Sequence, residues 1–205
     1  NVIGFLLSGN MAGIFCVLYA SLMALPAPFA AVHLLFINLL TDSLPAIAIG
    51  MEPASSDLLG RKPRDPKEPL LSGDLVKRIG LQGLLIAVPV MTAFYLGYQA
   101  GTAEAMTMAF ATLTLARLFH GFNCRGDASI FRLKFSTNKY SVMAFFAGVV
   151  LLLAVLFIPG LKGLFMVAPA FGVANLGEIV LLAFLPTLVI QIIKVIGDVR
   201  RGKEN

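Results

Sequence analysis

Six long apolar segments dominate this sequence and decide what it can fold into. They cover approximately residues 2–25, 32–51, 79–98, 105–122, 140–158 and 173–196. Because a helix needs about 20 apolar residues to cross about 30 Å of hydrocarbon, each segment is long enough, or nearly so, to span a bilayer. Only 13% of the residues are charged, against about 25% in soluble domains. The sequence therefore predicts an all-α, polytopic membrane bundle of six transmembrane helices surrounded by lipid.

The basic residues predict the orientation of this bundle. The links 52–78 and 123–139 and the C-terminal tail hold six, four and four of the 16 Lys and Arg residues, and they all fall on one side. Loops rich in Lys and Arg stay in the cytoplasm, which places both ends of the chain there as well. These clusters also account for the net charge of +5, so the charge implies no nucleic-acid partner.

One stretch of the second segment carries polar groups that are costly in a membrane. Asn38, Thr41 and Asp42 are spaced i, i+3 and i+4, so on an α-helix they share one face. Pro45 cannot donate to the carbonyl of Thr41 and its ring crowds that turn, which predicts a locally opened helix. Hard cations such as calcium take oxygen ligands of this kind. The alternative interpretation is that the polar side chains join helices and Pro45 is a simple kink.

Two other polar residues lie within apolar segments, and each has two interpretations. Asn10 stands among small residues, where it either supplies a ligand oxygen or hydrogen-bonds across a helix interface. Arg117 either extends to the cytoplasmic interface or turns inward to a carboxylate. Its natural partner would then be Asp42, the only acid well inside a segment.

The oxygen ligands in this chain are too few for calcium. Calcium takes about 6–8 oxygens, whereas Asp42 offers at most two and Asn38, Thr41 and Asn10 offer one each. A single carboxylate also faces a divalent charge. This deficit, together with a first residue that is Asn rather than Met, predicts a piece of a longer protein whose other helices complete the site.

Three stretches resemble the P-type ATPases. Residues 38–48, NLLTDSLPAIA, are similar to the sixth transmembrane helix of that family, above all in its calcium-pump branch, the sarco/endoplasmic reticulum-like type IIA pumps. Residues 61–70, RKPRDPKEPL, resemble the loop that follows, and residues 8–10 resemble the Asn-bearing part of the fifth helix. Segment number, link length and polarity fit helices five to ten over the whole chain.

The resemblance implies an ATP-driven pump whose chemistry lies outside this chain. The family couples ATP hydrolysis, through a phosphorylated Asp, to cation transport, and its motifs Asp-Lys-Thr-Gly and Gly-Asp-Gly-x-x-Asn-Asp do not occur here. The chain is then the C-terminal membrane half. It is expected to hold no catalytic residue and to be inactive without helices one to four and the cytoplasmic head that uses ATP and Mg²⁺. The coupling loop, expected near the phosphorylation domain, would contain Arg61, Lys62, Arg64 and Lys67.

The resemblance also assigns the residues that contact the ion. Gly13 and Arg117 stand where the two-calcium pump has Glu, which predicts a single Ca²⁺ per cycle. Arg117 would then turn inward and fill the vacated site with positive charge, as in a bacterial-style pump of the plasma membrane. The cation-liganding positions of the family are matched here by Asn10, Asn38, Thr41 and Asp42.

Three other functions stay open on the sequence. A pump of the same architecture could carry manganese, which also accepts oxygen ligands, or a monovalent cation. A self-standing six-span secondary transporter would use Asp42 as its coupling residue. A non-catalytic membrane anchor would use the polar residues only to join helices.

Overall fold

Helices make up nearly all of the part of the chain that the computed structural model describes, namely residues 1–53, 72–133 and 137–201. A π-helical turn, Ile37–Thr41, separates the second and third helices. No strand occurs in these three ranges, as the all-α prediction requires. The α-helices are α1 (Val2–Leu22), α2 (Ala31–Phe36), α3 (Ser43–Gly50), α4 (Gly73–Tyr98), α5 (Thr102–Asn123), α6 (Ile130–Leu133), α7 (Lys139–Phe157), α8 (Pro159–Leu164) and α9 (Ala174–Arg201).

The fourth helix begins six residues before the apolar segment that predicted it, because local capping extends it. Ser72 Oγ accepts a hydrogen bond from Leu75 N at 3.3 Å, and Asp74 lies in the first turn. Both features stabilise a helix N-terminus, where backbone N–H groups lack partners. Hydropathy alone does not predict this extension, because the capping residues are polar. The last helix likewise runs to Arg201, beyond the predicted limit at residue 196.

Five stretches are helical, long and apolar enough to cross a membrane: Val2–Leu22, Ala31–Gly50, Gly73–Tyr98, Lys139–Phe157 and Ala174–Arg200. The remaining predicted span is α5, which has 22 residues and is too polar to meet the same criterion. This helix lies in the middle of the bundle, where it contacts α1, α3, α4, α7 and α9. Its polar side chains face other helices rather than lipid, and Thr107, Thr112 and Thr114 are fully buried.

The polar links meet at one end of the bundle. Arg78, near the start of α4, forms an ion pair with Asp127 beyond the end of α5 at 3.0 Å. Asn1, before α1, donates to the carbonyl of Arg125 at 3.0 Å. Ser129 N donates to Asp198 Oδ2, near the end of α9, at 2.9 Å. The described ends of the two basic links and of the last helix therefore lie together, as the distribution of Lys and Arg predicted for these residues.

Helices α4 and α5 are in close backbone contact at Gly97. A Cβ atom at this position would lie 2.7 Å from the carbonyl oxygen of Glu104 and 2.8 Å from Cα of Ala105. Both neighbours are backbone atoms, which cannot rotate away as a side chain can. The absence of a side chain at Gly97 therefore sets the distance between the two helices.

We predict that Gly97→Ala destabilises the bundle by about 1–3 kcal/mol, the usual cost of overpacking. The matched control is Gly80→Ala on the same helix, where an added Cβ meets no atom within 4 Å and Ala is the better helix former. Thermal unfolding of the intact protein in detergent should show a lower Tm for the first variant only. Equal Tm values would contradict the assignment of Gly97 as the tight contact.

Candidate cation site

The helix that carries Asp42 is opened by one residue. Asp42 N donates to the carbonyl of Ile37, five residues back, at 2.8 Å, which closes a π-helical turn over Ile37–Thr41. Pro45, three residues later, has no N–H for the carbonyl of Thr41 and would crowd a regular turn. The opened helix predicted from Pro45 is thus present, and its form is a π turn, a feature frequent at functional sites.

Asp42 is 2% exposed and lies at the start of α3. Its Oδ2 atom accepts a hydrogen bond from Nη2 of Arg117, with which it forms an ion pair. Its Oδ1 atom is buried and has no hydrogen-bond partner among the described residues. A buried polar atom without a partner is costly, and a ligand bound to Oδ1 would remove that cost. Oδ1 is therefore the candidate ligand atom of Asp42.

Arg117 points into the bundle, which is the inward arrangement of the two considered from the sequence. Its side chain is 3% exposed, and Nη2 also donates to Asn10 Oδ1 at 3.1 Å. The guanidinium therefore connects α5 to α1 and to the segment of Asp42. Of the two roles considered for Asn10, a hydrogen bond across a helix interface is present.

Gly9 makes the room that this guanidinium occupies. A Cβ atom at Gly9 would lie 2.6 Å from Cζ of Arg117, so any side chain there would collide with the planar group. Gly9 was not among the site residues predicted from the sequence. The available signal was its place beside Asn10 in a stretch of small residues, which indicates close approach of a second helix without naming Arg117.

A second polar link holds α1 and α5 in register. His120, three residues after Arg117 on α5, is fully buried, and its Nε2 lies 2.9 Å from Ser8 Oγ. Ser8 is two residues before Asn10 on α1. The two contacts together fix both the rotation and the height of α1 against α5, and hence the position of Arg117.

The four predicted ligand residues do not share one environment. Asp42 and Thr41 are buried, with Thr41 Oγ1 donating to the carbonyl of Ile37 at 3.0 Å. Asn38 and Asn10 are exposed in the described part of the chain. Asn38 and Thr41 lie in the π turn, where i→i+5 bonding changes the angular spacing that an α-helix gives to residues three and four apart.

Space is left open beside Asn10. Gly13 lies one turn further along α1 and is half-buried, yet a Cβ atom there would meet nothing within 4 Å. Among the described residues no three His, Cys, Asp or Glu side chains come together. Of the four predicted ligand residues, Asp42 is the one with an acidic side chain. The coupling-loop residues lie outside the described residues: Arg61, Lys62, Arg64 and Lys67.

The sequence matches a known family. The model of the family described as "Cation transporting ATPase, C-terminus" covers residues 26–196. A calcium-transporting ATPase of Bacillus subtilis is 39% identical over 80% of this chain and 19% of its own length. A calcium-transporting ATPase of Listeria monocytogenes is 37% identical over 96% of this chain and 22% of its own length. The chain thus spans about a fifth of the length of these relatives.

We predict that Gly9→Ala displaces the Arg117 side chain from Asp42. Removing one partner of a buried ion pair costs about 3–5 kcal/mol. Displacing Arg117 leaves Asp42 without its partner, so the Tm of the intact protein should fall, by at most this cost. Gly13→Ala is the matched control on the same helix, because open space surrounds its added methyl group. A structure of the Gly9→Ala variant that keeps the contact between Arg117 and Asp42 would contradict the prediction.

Proposed function

This chain belongs to the cation-transporting ATPases, and from that premise we propose that it is the C-terminal membrane half of an ATP-driven calcium pump. It supplies part of a single intramembrane Ca²⁺ site and contains no catalytic residue. The first four membrane helices and the cytoplasmic head, which binds ATP and Mg²⁺, complete the pump. The relatives that share this segment are named calcium-transporting ATPases, which supports calcium as the transported ion.

The observation that carries the proposal is the half-satisfied carboxylate of Asp42. One oxygen is held by Arg117 and the other is buried without a partner in the described residues. A hard divalent cation binds such an oxygen directly. In this site Asp42 is the charged ligand, while Thr41, Asn38 and Asn10 add neutral oxygens.

Arg117 is proposed to replace a second cation. Its fixed charge lies in contact with Asp42 and Asn10, and a further Ca²⁺ at that place would be repelled at short range. The open space beside Gly13 fits the same account, because no acidic side chain reaches into it. The pump then moves one Ca²⁺ in each cycle, and Arg117 reduces the need for protons as counter-ions when the site is empty.

The orientation and the membrane complete the proposal. The end of the bundle that gathers Arg78, Arg125 and Arg132 faces the cytoplasm by the positive-inside rule, so both ends of the chain do so too. The bacterial relatives support the plasma membrane of a bacterium as the location. The coupling loop with Arg61, Lys62, Arg64 and Lys67 would then face the phosphorylation domain.

We predict that Asp42→Asn in the intact pump abolishes activation of ATP hydrolysis by Ca²⁺, because the site loses its charged ligand. Glu178→Gln is the control, since Glu178 is an exposed acid near the start of α9. ATP hydrolysis is measured against the concentrations of Ca²⁺ and Mn²⁺ for both variants and wild type. Normal Ca²⁺ dependence of Asp42→Asn would refute the site, and activation of wild type by Mn²⁺ alone would assign the manganese alternative.

We also predict one Ca²⁺ bound for each pump molecule that can be phosphorylated. Radioactive Ca²⁺ bound at saturation is divided by the amount of phosphorylated enzyme formed in the same preparation. A ratio near two would contradict the role given to Arg117. Arg117→Glu should alter the Ca²⁺ dependence strongly, because it places an acid beside Asp42 in the ion-pair position.

A further inference from the structure

Three residues form a buried cluster at the end of the bundle where α3 and α5 end and α7 begins. We call Glu52, Arg125 and Asn138 the clasp. Arg125 donates from Nε to Glu52 Oε2 and from Nη2 to Glu52 Oε1, both at 2.8 Å. Asn138 Nδ2 donates to Glu52 Oε2 at 2.7 Å. A bidentate guanidinium–carboxylate pair of this kind is directional as well as strong.

The clasp is shielded from solvent. The Arg125 side chain is 0% exposed and that of Glu52 is 15% exposed. Burial alone would raise the pKa of Glu52, but hydrogen bonds from Arg125 and Asn138 and the charge of Arg125 bring this pKa below its usual value. The carboxylate is therefore ionised near neutral pH and pairs with a guanidinium that is shielded from water.

Asn138 connects the clasp to two helix ends at once. Its Nδ2 atom also donates to the carbonyl of Ala48, in the last turn of α3, at 2.8 Å. Its Oδ1 atom accepts from Ser141 N, in the first turn of α7, at 3.1 Å. The Ala48 carbonyl also accepts from the backbone N of Met51 at 3.2 Å, so Asn138 adds a second donor at the end of α3, and it caps a first-turn N–H of α7 that has no intrahelical partner.

These contacts lie at the C-terminal end of the short helix α3. It has eight residues, its first turn includes Pro45, and Asp42 immediately precedes it. Its N-terminal end follows the π turn, and along its length it also contacts α1, α5 and α7. The contacts of Glu52 and Asn138 at the C-terminal end of α3 therefore contribute to where its N-terminal end, and with it Asp42, lies relative to Arg117 on α5.

We propose that Glu52, Arg125 and Asn138 are positioning residues that hold α3 so that the carboxylate of Asp42 meets Arg117 and presents its other oxygen to the ion. Glu52 lies ten residues after Asp42, at the other end of α3. The link of the clasp to transport rests on the function proposed above, whereas its hold on α3 is independent of which ion is carried.

The experiment uses the intact pump with Glu52→Gln, which removes the charge but keeps the shape, and Arg125→Lys, which keeps the charge but loses the bidentate fork. The control is Asp127→Asn, which breaks the exposed ion pair with Arg78 at the same end of the bundle. Two quantities are measured: amide hydrogen exchange of residues 43–50, and the Ca²⁺ concentration that half-activates ATP hydrolysis.

Both clasp variants should exchange residues 43–50 at least about tenfold faster, because exchange reports local opening. Both should also need about tenfold more Ca²⁺ for half-activation, within the usual range of coupling between sites, while the control changes neither quantity. Unchanged exchange, or faster exchange without a change in Ca²⁺ dependence, overturns the positioning role. If wild type shows no response to Ca²⁺, the proposed function fails and the exchange rates still decide whether the clasp holds α3.

Discussion

The ion pair between Asp42 and Arg117 is the interaction on which the centre of this bundle depends. Either charge alone in the membrane interior is expensive, and removing one partner from a buried pair costs about 3–5 kcal/mol. Paired, the two groups allow α5 to carry a guanidinium through the middle of the bundle. The shape of the surroundings follows from that requirement: Gly9 leaves room for the planar group, Asn10 takes one of its hydrogen bonds, and the π turn presents Asp42.

Hydropathy predicted the five helices that face lipid better than it predicted α5, which is enclosed by the other helices. Five of the six predicted spans are long and apolar enough to cross a membrane by themselves, because lipid-facing residues must be apolar. Helix α5 is surrounded by five others, so its environment is protein and it tolerates Thr112, Thr114 and Arg117. Its lower hydropathy is a consequence of its central place. Helix limits also shifted where polar caps, such as Ser72 before α4, extend a helix beyond its apolar part.

The partner of Arg117 could be predicted because the sequence offers few candidates, whereas contacts between distant segments could not. Asp42 is the only acid well inside a segment, so an inward Arg117 had one possible partner. The contact of Gly9 with Arg117 and the three-residue clasp join positions far apart in the sequence, and no local pattern announces them. The different exposure of Asn38 and Thr41 was not predicted, for another reason. Helical spacing assumes α geometry, and Pro45 predicts that the turn opens without predicting that it becomes a π turn.

The same ion pair also determines from which side a cation can reach Asp42. Arg117 donates to Oδ2, whereas Oδ1 is buried without a hydrogen-bond partner among the described residues, so Oδ1 is the oxygen that the proposed site offers to the ion. A single carboxylate already shared with a guanidinium cannot neutralise a divalent ion, so the proposed site needs further acidic ligands. Asn10 and Asn38 are exposed in the described part of the chain, and that exposed side is where such ligands would join them. The calcium site proposed above therefore requires acidic ligands in addition to Asp42, packed against α1 and the π turn.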